Sequence, residues 1–438
     1  PNVILIYTDD QGYGDASCLN PASKFKTPNL DRLAREGMTF TDGHCSDTVC
    51  TPSRYGLLTG RYSWRTILKR GVFGAEKECL IKDGRVTLAS LLRENGYATA
   101  MVGKWHLGGT GNTWIPPKLR ADFTEFIGYQ CYNDFLHSIK FYDEEGEEHW
   151  YNKHRTEVTT DIAIERLEGM KDEPFALFVS YQNPHYPEQP AYAYEQMYQG
   201  VPLTKRPNCQ NVDPYTPTHS PPSPKPKEND PLYQKYGHNL EEYHRQYYAM
   251  VSQLDANVGR MREALNRLGL SDNTVVIFTS DHGDMQGSQG LTNKGTAWEE
   301  SSRIPLIVYV PNGIQGLVSE DLVSGVDFFP SCLDYAALPP EPSVEGDSFA
   351  PQTRGEQQVL DRPIFSEMRP WCMVRRGELK LVATKDPFEP THLFDLGVDD
   401  YEMNNLLGHP DYTSSEENLL AILKDWYRRV SPSGSGPD

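Results

Sequence analysis

Residues 2–10 read Asn-Val-Ile-Leu-Ile-Tyr-Thr-Asp-Asp, an apolar run that stops on two carboxylates. A strand with one covered face alternates apolar and polar residues. A run without alternation predicts a strand covered on both faces, as in a parallel sheet flanked by helices. The form recurs: Ala98 to Val102 runs on into Gly103-Lys104-Trp105-His106, Phe175 to Tyr181 into Gln182-Asn183-Pro184-His185, and Thr274 to Ser280 into Asp281-His282. Leu306 to Val310 is a fifth candidate strand. Ligands of open parallel sheets bind beyond the carboxyl ends of the strands. Asp9, Asp10, Lys104, His106, His185, Asp281 and His282 are therefore expected along one edge.

Working outward, Thr27 to Glu36 and Thr87 to Asn95 read as helices, the first opened by Pro28 and the second closed by Gly96. The apolar stripe Tyr247, Val251, Leu254, Val258, Met261, Leu265 and Leu268 predicts a longer helix ended by Gly269. The expected fold class is α/β: a large, mostly parallel or mixed sheet with helices on both faces. Val201 to Pro231 is Pro-rich and aperiodic, a surface excursion of the kind that shapes pockets. Pro339 to Gln352 reads as a linker. Beyond it, Pro363 to Glu367, Cys372 to Arg375, Leu379 to Thr384 and His392 to Leu396 predict a small antiparallel sheet, covered by one helix near Glu416 to Arg429. The expected division is a catalytic α/β domain over residues 1–350 and a smaller α+β domain over 351–438 that contributes to the substrate pocket.

A chain of 438 residues exceeds what one hydrophobic core usually organises. Its formal net charge of −19 argues against a nucleic-acid partner, which needs a basic face to neutralise phosphates. An anionic substrate would have to meet a local cluster of cations. No apolar run approaches the length that spans a bilayer, so no membrane span is expected. No basic n-region or apolar h-region precedes the first strand, so a signal peptide is not visible. The 8 cysteines lack the paired short spacings of a zinc site or a dense disulfide framework. The absence of an Asn-x-Ser/Thr sequon fits a bacterial protein.

Asp9, Asp10, Asp281 and His282 offer a hard, oxygen-rich donor set suited to Ca²⁺ or Mg²⁺ rather than to a thiolate-preferring metal. Asp is also a common turn residue after a strand, but two acidic strand ends together favour the metal. The most specific stretch is Cys50-Thr51-Pro52-Ser53-Arg54, continuing Tyr55-Gly56-Leu57-Leu58-Thr59-Gly60-Arg61. It resembles the motif of the formylglycine-dependent type I sulfatases of the alkaline phosphatase superfamily: Cys-x-Pro-x-Arg with a Leu-Thr-Gly-Arg tail. The resemblance extends through Thr27-Pro28-Asn29-Leu30-Asp31 and Gly103-Lys104-Trp105-His106-Leu107-Gly108 to Asp281-His282-Gly283, and loosens beyond about Gln352. One departure stands out: many members carry Asn where this chain has His282.

The resemblance implies a bacterial, periplasmic or extracellular hydrolase of O-sulfate esters on sulfated carbohydrate. Cys50 would be oxidised to formylglycine by a dedicated maturation enzyme. Asp9, Asp10, Asp281 and His282, with an oxygen of modified Cys50, would hold one divalent ion, calcium by resemblance with magnesium as the alternative. Arg54 and Lys104 would steady the formylglycine oxygens, His106 would be the base that releases sulfate, and His185 and Lys294 would bind sulfate and protonate the leaving alkoxide. Trp114, Arg369 and Trp371 are candidates for the leaving-group subsite, since aromatics stack on sugar faces and Arg binds hydroxyls or carboxylates. Two rival readings are a phosphodiester or phosphonate monoester hydrolase using the same nucleophile, and a protein that binds sulfated glycan without turnover.

Overall fold

The computed structural model describes residues 1–68, 71–72, 78–108, 114–210, 239–356 and 361–431. The ten-stranded sheet comprises β1 (Asn2–Thr8), β2 (Met38–His44), β3 (Ala98–Lys104), β4 (Glu125–Tyr129), β5 (Ile139–Tyr142), β6 (Glu148–Tyr151), β7 (Phe175–Ser180), β8 (Thr274–Ser280), β9 (Leu306–Tyr309) and β10 (Leu317–Ser324), in the order β10-β2-β9-β8-β1-β7-β3-β4-β5-β6. Its centre, β8-β1-β7-β3-β4, is parallel throughout. β9 runs antiparallel to both β8 and β2, so the fifth strand is present but reversed.

β1 explains why the apolar run has no period. Val3, Leu5 and Tyr7 join one core cluster, while Ile4 and Ile6 join another on the opposite face. Helices α2 (Cys50–Thr59), α3 (Leu88–Glu94) and α6 (Phe328–Tyr335) contribute to the first cluster. Helices α1 (Pro28–Glu36), α4 (Arg155–Met170) and α5 (Leu240–Arg267) contribute to the second. All ten residues of α2 are buried, which removes the amphipathic stripe that would have announced it as a helix.

The four-stranded antiparallel sheet consists of β11 (Ile364–Met368), β12 (Trp371–Arg376), β13 (Leu379–Thr384) and β14 (Pro390–Asp395), backed by α7 (Thr413–Val430). One of its faces packs Cys372, Val374, Leu381, Ala383 and Leu393 against Leu419, Leu423 and Trp426 of α7. The other meets the large sheet's side through buried charge: Glu299 Oε2 lies 3.0 Å from His44 Nε2 and 3.2 Å from Arg375 Nη1, and Glu299 Oε1 lies 2.8 Å from Lys380 Nζ. The edge strand β11 reaches further, since Glu367 N donates to Ser46 O at 3.1 Å and Thr48 N to Glu367 O at 3.3 Å. That stitches the small sheet to the segment leading into Cys50.

The segment 339–352 is not a free linker. Phe349 is fully buried and packs edge-on against Phe328, with Phe40 tilted 5.5 Å away, so one aromatic anchors it to the core. Within the Pro-rich excursion, Arg206 reaches Asp15 at 3.4 Å. The remainder after residue 210 lies outside the described residues. No helix among the described residues is long and apolar enough to cross a membrane.

Candidate functional site

Four strand ends bring the expected residues together. Asp9 and Asp10 leave β1, Lys104 closes β3 with His106 just beyond, Asn183 to His185 follow β7, and Asp281 and His282 follow β8. Two of these positions are held in the left-handed region, Asp10 at φ 69° and His106 at φ 51°. Such backbone costs of order 1–3 kcal/mol in non-glycine residues and persists where the surroundings impose it. Tyr247 on α5 helps to impose it at Asp10, donating its hydroxyl to the Asp10 carbonyl at 2.8 Å. Gly103, at φ 107°, precedes Lys104 because a Cβ there would meet Ser180 O at 2.1 Å.

Cys50 opens α2, where the partial positive charge of a helix N-terminus favours an anionic group. Its Sγ is the point on which the site converges. Asp9 Oδ1 and His282 Nε2 both lie 3.4 Å away, Lys294 Nζ 3.6 Å and Lys104 Nζ 3.7 Å, and His106 is hydrogen-bonded to it. Burial pushes the Cys50 thiol up, but Lys104, Lys294 and His282 outweigh it and hold the group well below its usual range. Burial pushes the His106 imidazole down, only partly offset by Cys50, which favours its neutral, proton-accepting form.

Arg54, one turn into α2, reaches across the sheet edge. Its Nη2 lies 3.1 Å from Asp9 Oδ2 and 2.9 Å from Asp281 Oδ2, while Nη1 donates to Ser180 Oγ at 2.5 Å and to Lys104 O at 3.0 Å. Lys104 is ion-paired with Asp9 and Lys294 with Asp10. His185 stands further out, its Nε2 4.0 Å from Asp10 Oδ2. The His185 Nδ1 must carry a proton, because it lies 2.5 Å from the Tyr186 carbonyl, which can only accept. The same logic applies to His282: Nδ1 donates to Gly283 O at 3.1 Å, leaving Nε2 turned toward Cys50.

A donor atom from each of Asp9, Asp10, Cys50 and His282 can be chosen so that all lie within 4.8 Å of one another, and all four residues are buried. Two fully buried carboxylates this close are costly unless cations lie between them. Carboxylate oxygens fit a hard divalent ion, and the backbone-bonded imidazole matches the way metal-binding histidines are oriented. The residues present therefore fit the group that the sequence implied. Asp281 stands beside this cluster rather than within it, accepting from Asp10 N at 3.3 Å and pairing with Arg54. Burial, with Asp9 adding to it, pushes the Asp281 carboxyl up to about 7.

Several supporting residues escaped the sequence reading. Ser53 Oγ donates to the Asp281 carbonyl at 2.7 Å and lies 3.0 Å from the Tyr7 hydroxyl. Tyr247 Oη also lies 2.7 Å from Asp15 Oδ2, a second acceptor for the same proton. Ser53 sits inside the quoted motif and was readable, whereas Tyr247 is one of 25 tyrosines and carries no local signal. Of the three expected leaving-group residues, Trp371 reaches the site, its Nε1 donating to the carbonyl of Gly295, next to Lys294, at 3.0 Å. Arg369 lies nearby, its guanidinium 5.1 Å from the Trp64 ring. Trp114 packs under Arg120, 5.5 Å from the guanidinium, and against Gly146 of the β5–β6 turn.

The chain is similar to known proteins over most of its length. Residues 1–338 match the sulfatase family model, and residues 287–428 match the C-terminal model of N-sulphoglucosamine sulphohydrolase. An ulvan-active sulfatase of Formosa agariphila is 29% identical, covering 97% of this chain and 80% of its own. An N-acetylglucosamine-6-O-sulfatase of Bacteroides thetaiotaomicron is 25% identical, covering 97% and 86%. The crystal structure of a putative sulfatase from Bacteroides fragilis superposes with a TM-score of 0.85 at 26% identity, covering 99% of this chain and 97% of that one. With four strand ends converging on Cys50 and the family model spanning most of the sequence, the chain belongs to the sulfatase family and is a sulfuric ester hydrolase.

Proposed function

We propose that the chain removes sulfate from a sulfated carbohydrate, with residue 50 oxidised to formylglycine and one calcium ion, or magnesium in its place, held by Asp9, Asp10, His282 and an oxygen of residue 50, with Asp281 joining from beside that cluster. The observation that carries this reading is the position of Cys50 Sγ, within 3.4–3.7 Å of a carboxylate, an imidazole and two ammonium groups at once. The carbohydrate assignment is supported by the relatives named above. When present, the hydrated aldehyde supplies a nucleophilic oxygen with a second hydroxyl for release, and the divalent ion supplies the charge that ionises the first and draws in the ester.

The chain's own residues do the rest. Arg54 and Lys104 fix the orientation of residue 50 and balance the anion formed there. Lys294 and His185 face the incoming sulfate from the open side. His185, with its Nδ1 proton committed to the Tyr186 carbonyl, can hold a second proton only on Nε2 and deliver it from there to the leaving alkoxide. His106, neutral and bonded to residue 50, takes the proton whose removal frees the sulfate. A maturation enzyme is required, and the periplasm or the cell exterior suits a substrate that is a polymer. Residues 351–438 act as a C-terminal unit that helps to build the substrate pocket.

The test joins chemistry to selectivity. The peptide containing residue 50 should lose the mass separating a thiol from an aldehyde when a maturation enzyme is co-expressed. The matured protein should prefer an aryl sulfate over a matched aryl phosphate diester in kcat/KM. The reverse preference would move the chain to the phosphorus side of the superfamily, and a permanently unmodified, inactive thiol would leave only glycan binding. A further expectation concerns the rim: Trp371→Ala and Arg369→Ala should each raise KM on a sulfated glycan about fivefold, as losing roughly 1 kcal/mol of stacking or hydrogen bonding implies, with a smaller change on a compact aryl sulfate. Equal effects on both substrates would remove these side chains from the leaving-group site.

A further inference from the structure

A cavity of about 330 Å³ lies between the residues that follow Lys294 and the face of β12–β14 turned away from α7. Gly295 to Trp298 form one wall, and Trp371, Val382, His392 and Phe394 form much of the other. The bond from Trp371 Nε1 to Gly295 O makes its rim continuous with the reaction centre, one residue from Lys294. The aromatic wall is ordered: the Trp298 ring lies 5.3 Å from Phe394 and 5.5 Å from His392, and His392 stacks on Phe394 at 5.7 Å.

The hydroxyl and carboxylate groups around this cavity are engaged elsewhere, and the imidazole of His392, its Nδ1 3.0 Å from Thr391 Oγ1, is pushed by burial toward its neutral form. Thr384 donates to Pro387 O at 2.6 Å, Thr391 to Val382 O at 3.2 Å and Thr296 to Met285 Sδ at 3.1 Å. Glu402 is held by Lys380 at 2.6 Å and accepts from Glu299 N at 2.7 Å. No Lys or Arg is among the lining residues. Met368 borders both this cavity and a much smaller one next to it, where Arg369 and Lys385 stand beside Trp64. The basic side chains are thus on one side of Met368 and the apolar volume on the other.

We propose that this cavity is the subsite for an uncharged, apolar-faced part of the leaving group, such as the C–H face of a neutral sugar ring or its acyl or alkyl substituent. It rests on the sulfatase reading above and adds the class of alcohol to it. An apolar wall with engaged hydroxyls cannot repay the desolvation of a carboxylate or a second sulfate. The volume is at the small end of the roughly 300–1,000 Å³ typical of ligand sites, room for a ring rather than a long chain. Trp298 and Phe394 become specificity residues of a reaction they do not catalyse.

Ethyl, butyl and hexyl sulfate, titrated against the matured protein by tryptophan fluorescence, should bind with affinity rising about fourfold per methylene group. Hexyl sulfate bearing a terminal carboxylate should bind at least about tenfold more weakly than hexyl sulfate itself. Phe394→Ala should flatten the chain-length dependence. So should Thr391→Trp, which fills the cavity from a half-buried position should the first variant fold poorly. A flat dependence in the wild type, a steep one that survives Thr391→Trp, or a tolerated carboxylate would each overturn the assignment. Turnover of an aryl sulfate is measured in parallel. If it persists while the alkyl series is flat, only the cavity assignment falls; if the matured protein lacks it, the sulfatase reading falls and takes this one with it.

Discussion

Replacing Cys50 with alanine is expected to lower kcat on an aryl sulfate by roughly 10⁴- to 10⁶-fold while leaving the protein folded. The size follows from removing the group on which the other parts act, for which losses are not shared out additively. The nearest hydroxyl cannot substitute: Ser53 Oγ is bound to the Asp281 carbonyl and to Tyr7. Cys50→Ser should be similarly inactive if a single hydroxyl cannot both attack sulfur and release sulfate, a comparison that separates an aldehyde hydrate from an ordinary hydroxyl nucleophile. Neither change should shift the unfolding midpoint much, because Lys104 and Lys294 keep their pairings with Asp9 and Asp10. Residual turnover above about a tenth of wild type in Cys50→Ala, with the sequence verified by mass spectrometry, would take residue 50 out of the chemistry.

The largest stability effect is expected at Glu299. Removing one member of a buried ion network costs about 3–5 kcal/mol, because partners already stripped of water are left uncompensated. Glu299→Ala abandons His44, Arg375 and Lys380 together and should loosen the small sheet from the large one. Urea unfolding would read it, as a lowered midpoint or as a separate early transition of the C-terminal part. An unchanged midpoint would mean that the network contributes no net stability.

The same network sets a pH window. Burial pushes Glu299 up, but Lys380, His44 and Arg375 outweigh it and hold the carboxyl well below its ordinary 4.5. Its contribution is therefore complete above 4.5 and is lost as pH falls through the depressed folded value. Glu402 moves the other way: burial, only partly offset by Lys380 and reinforced by Glu299, lifts it to about 7 from 4.5. Its folded form binds the proton more tightly, so stability rises as pH falls from above 7 toward 4.5. These two carboxyls together place the maximum near pH 4.5, where Glu299 still contributes fully and Glu402 has reached its plateau. Glu402→Gln should flatten the alkaline side, and Glu299→Gln should remove the acid-side step.

Much of the site was legible because its residues follow strands that announce themselves. A strand buried on both faces carries no charged residue until its end, so Asp9, Lys104 and Asp281 appear in sequence as abrupt stops. Other elements left less trace. β2 mixes Thr, Asp and Gly with its apolar residues, since parts of it serve ion pairs to Arg303 and Arg375 rather than a core. α2 shows no helical period because every side of it is covered.

By itself the sequence determined the α/β class, the strand ends and the set of acids, imidazoles and cations that meet there, since apolar runs and their terminators are local properties of the chain. Only the tertiary structure decided that Asp281 pairs with Arg54 beside the donor cluster, that the small sheet is stitched to the segment before Cys50, and that an apolar cavity opens next to Lys294. Those depend on side chains far apart in sequence coming within a few ångströms of one another, and no spacing along the chain encodes such distances.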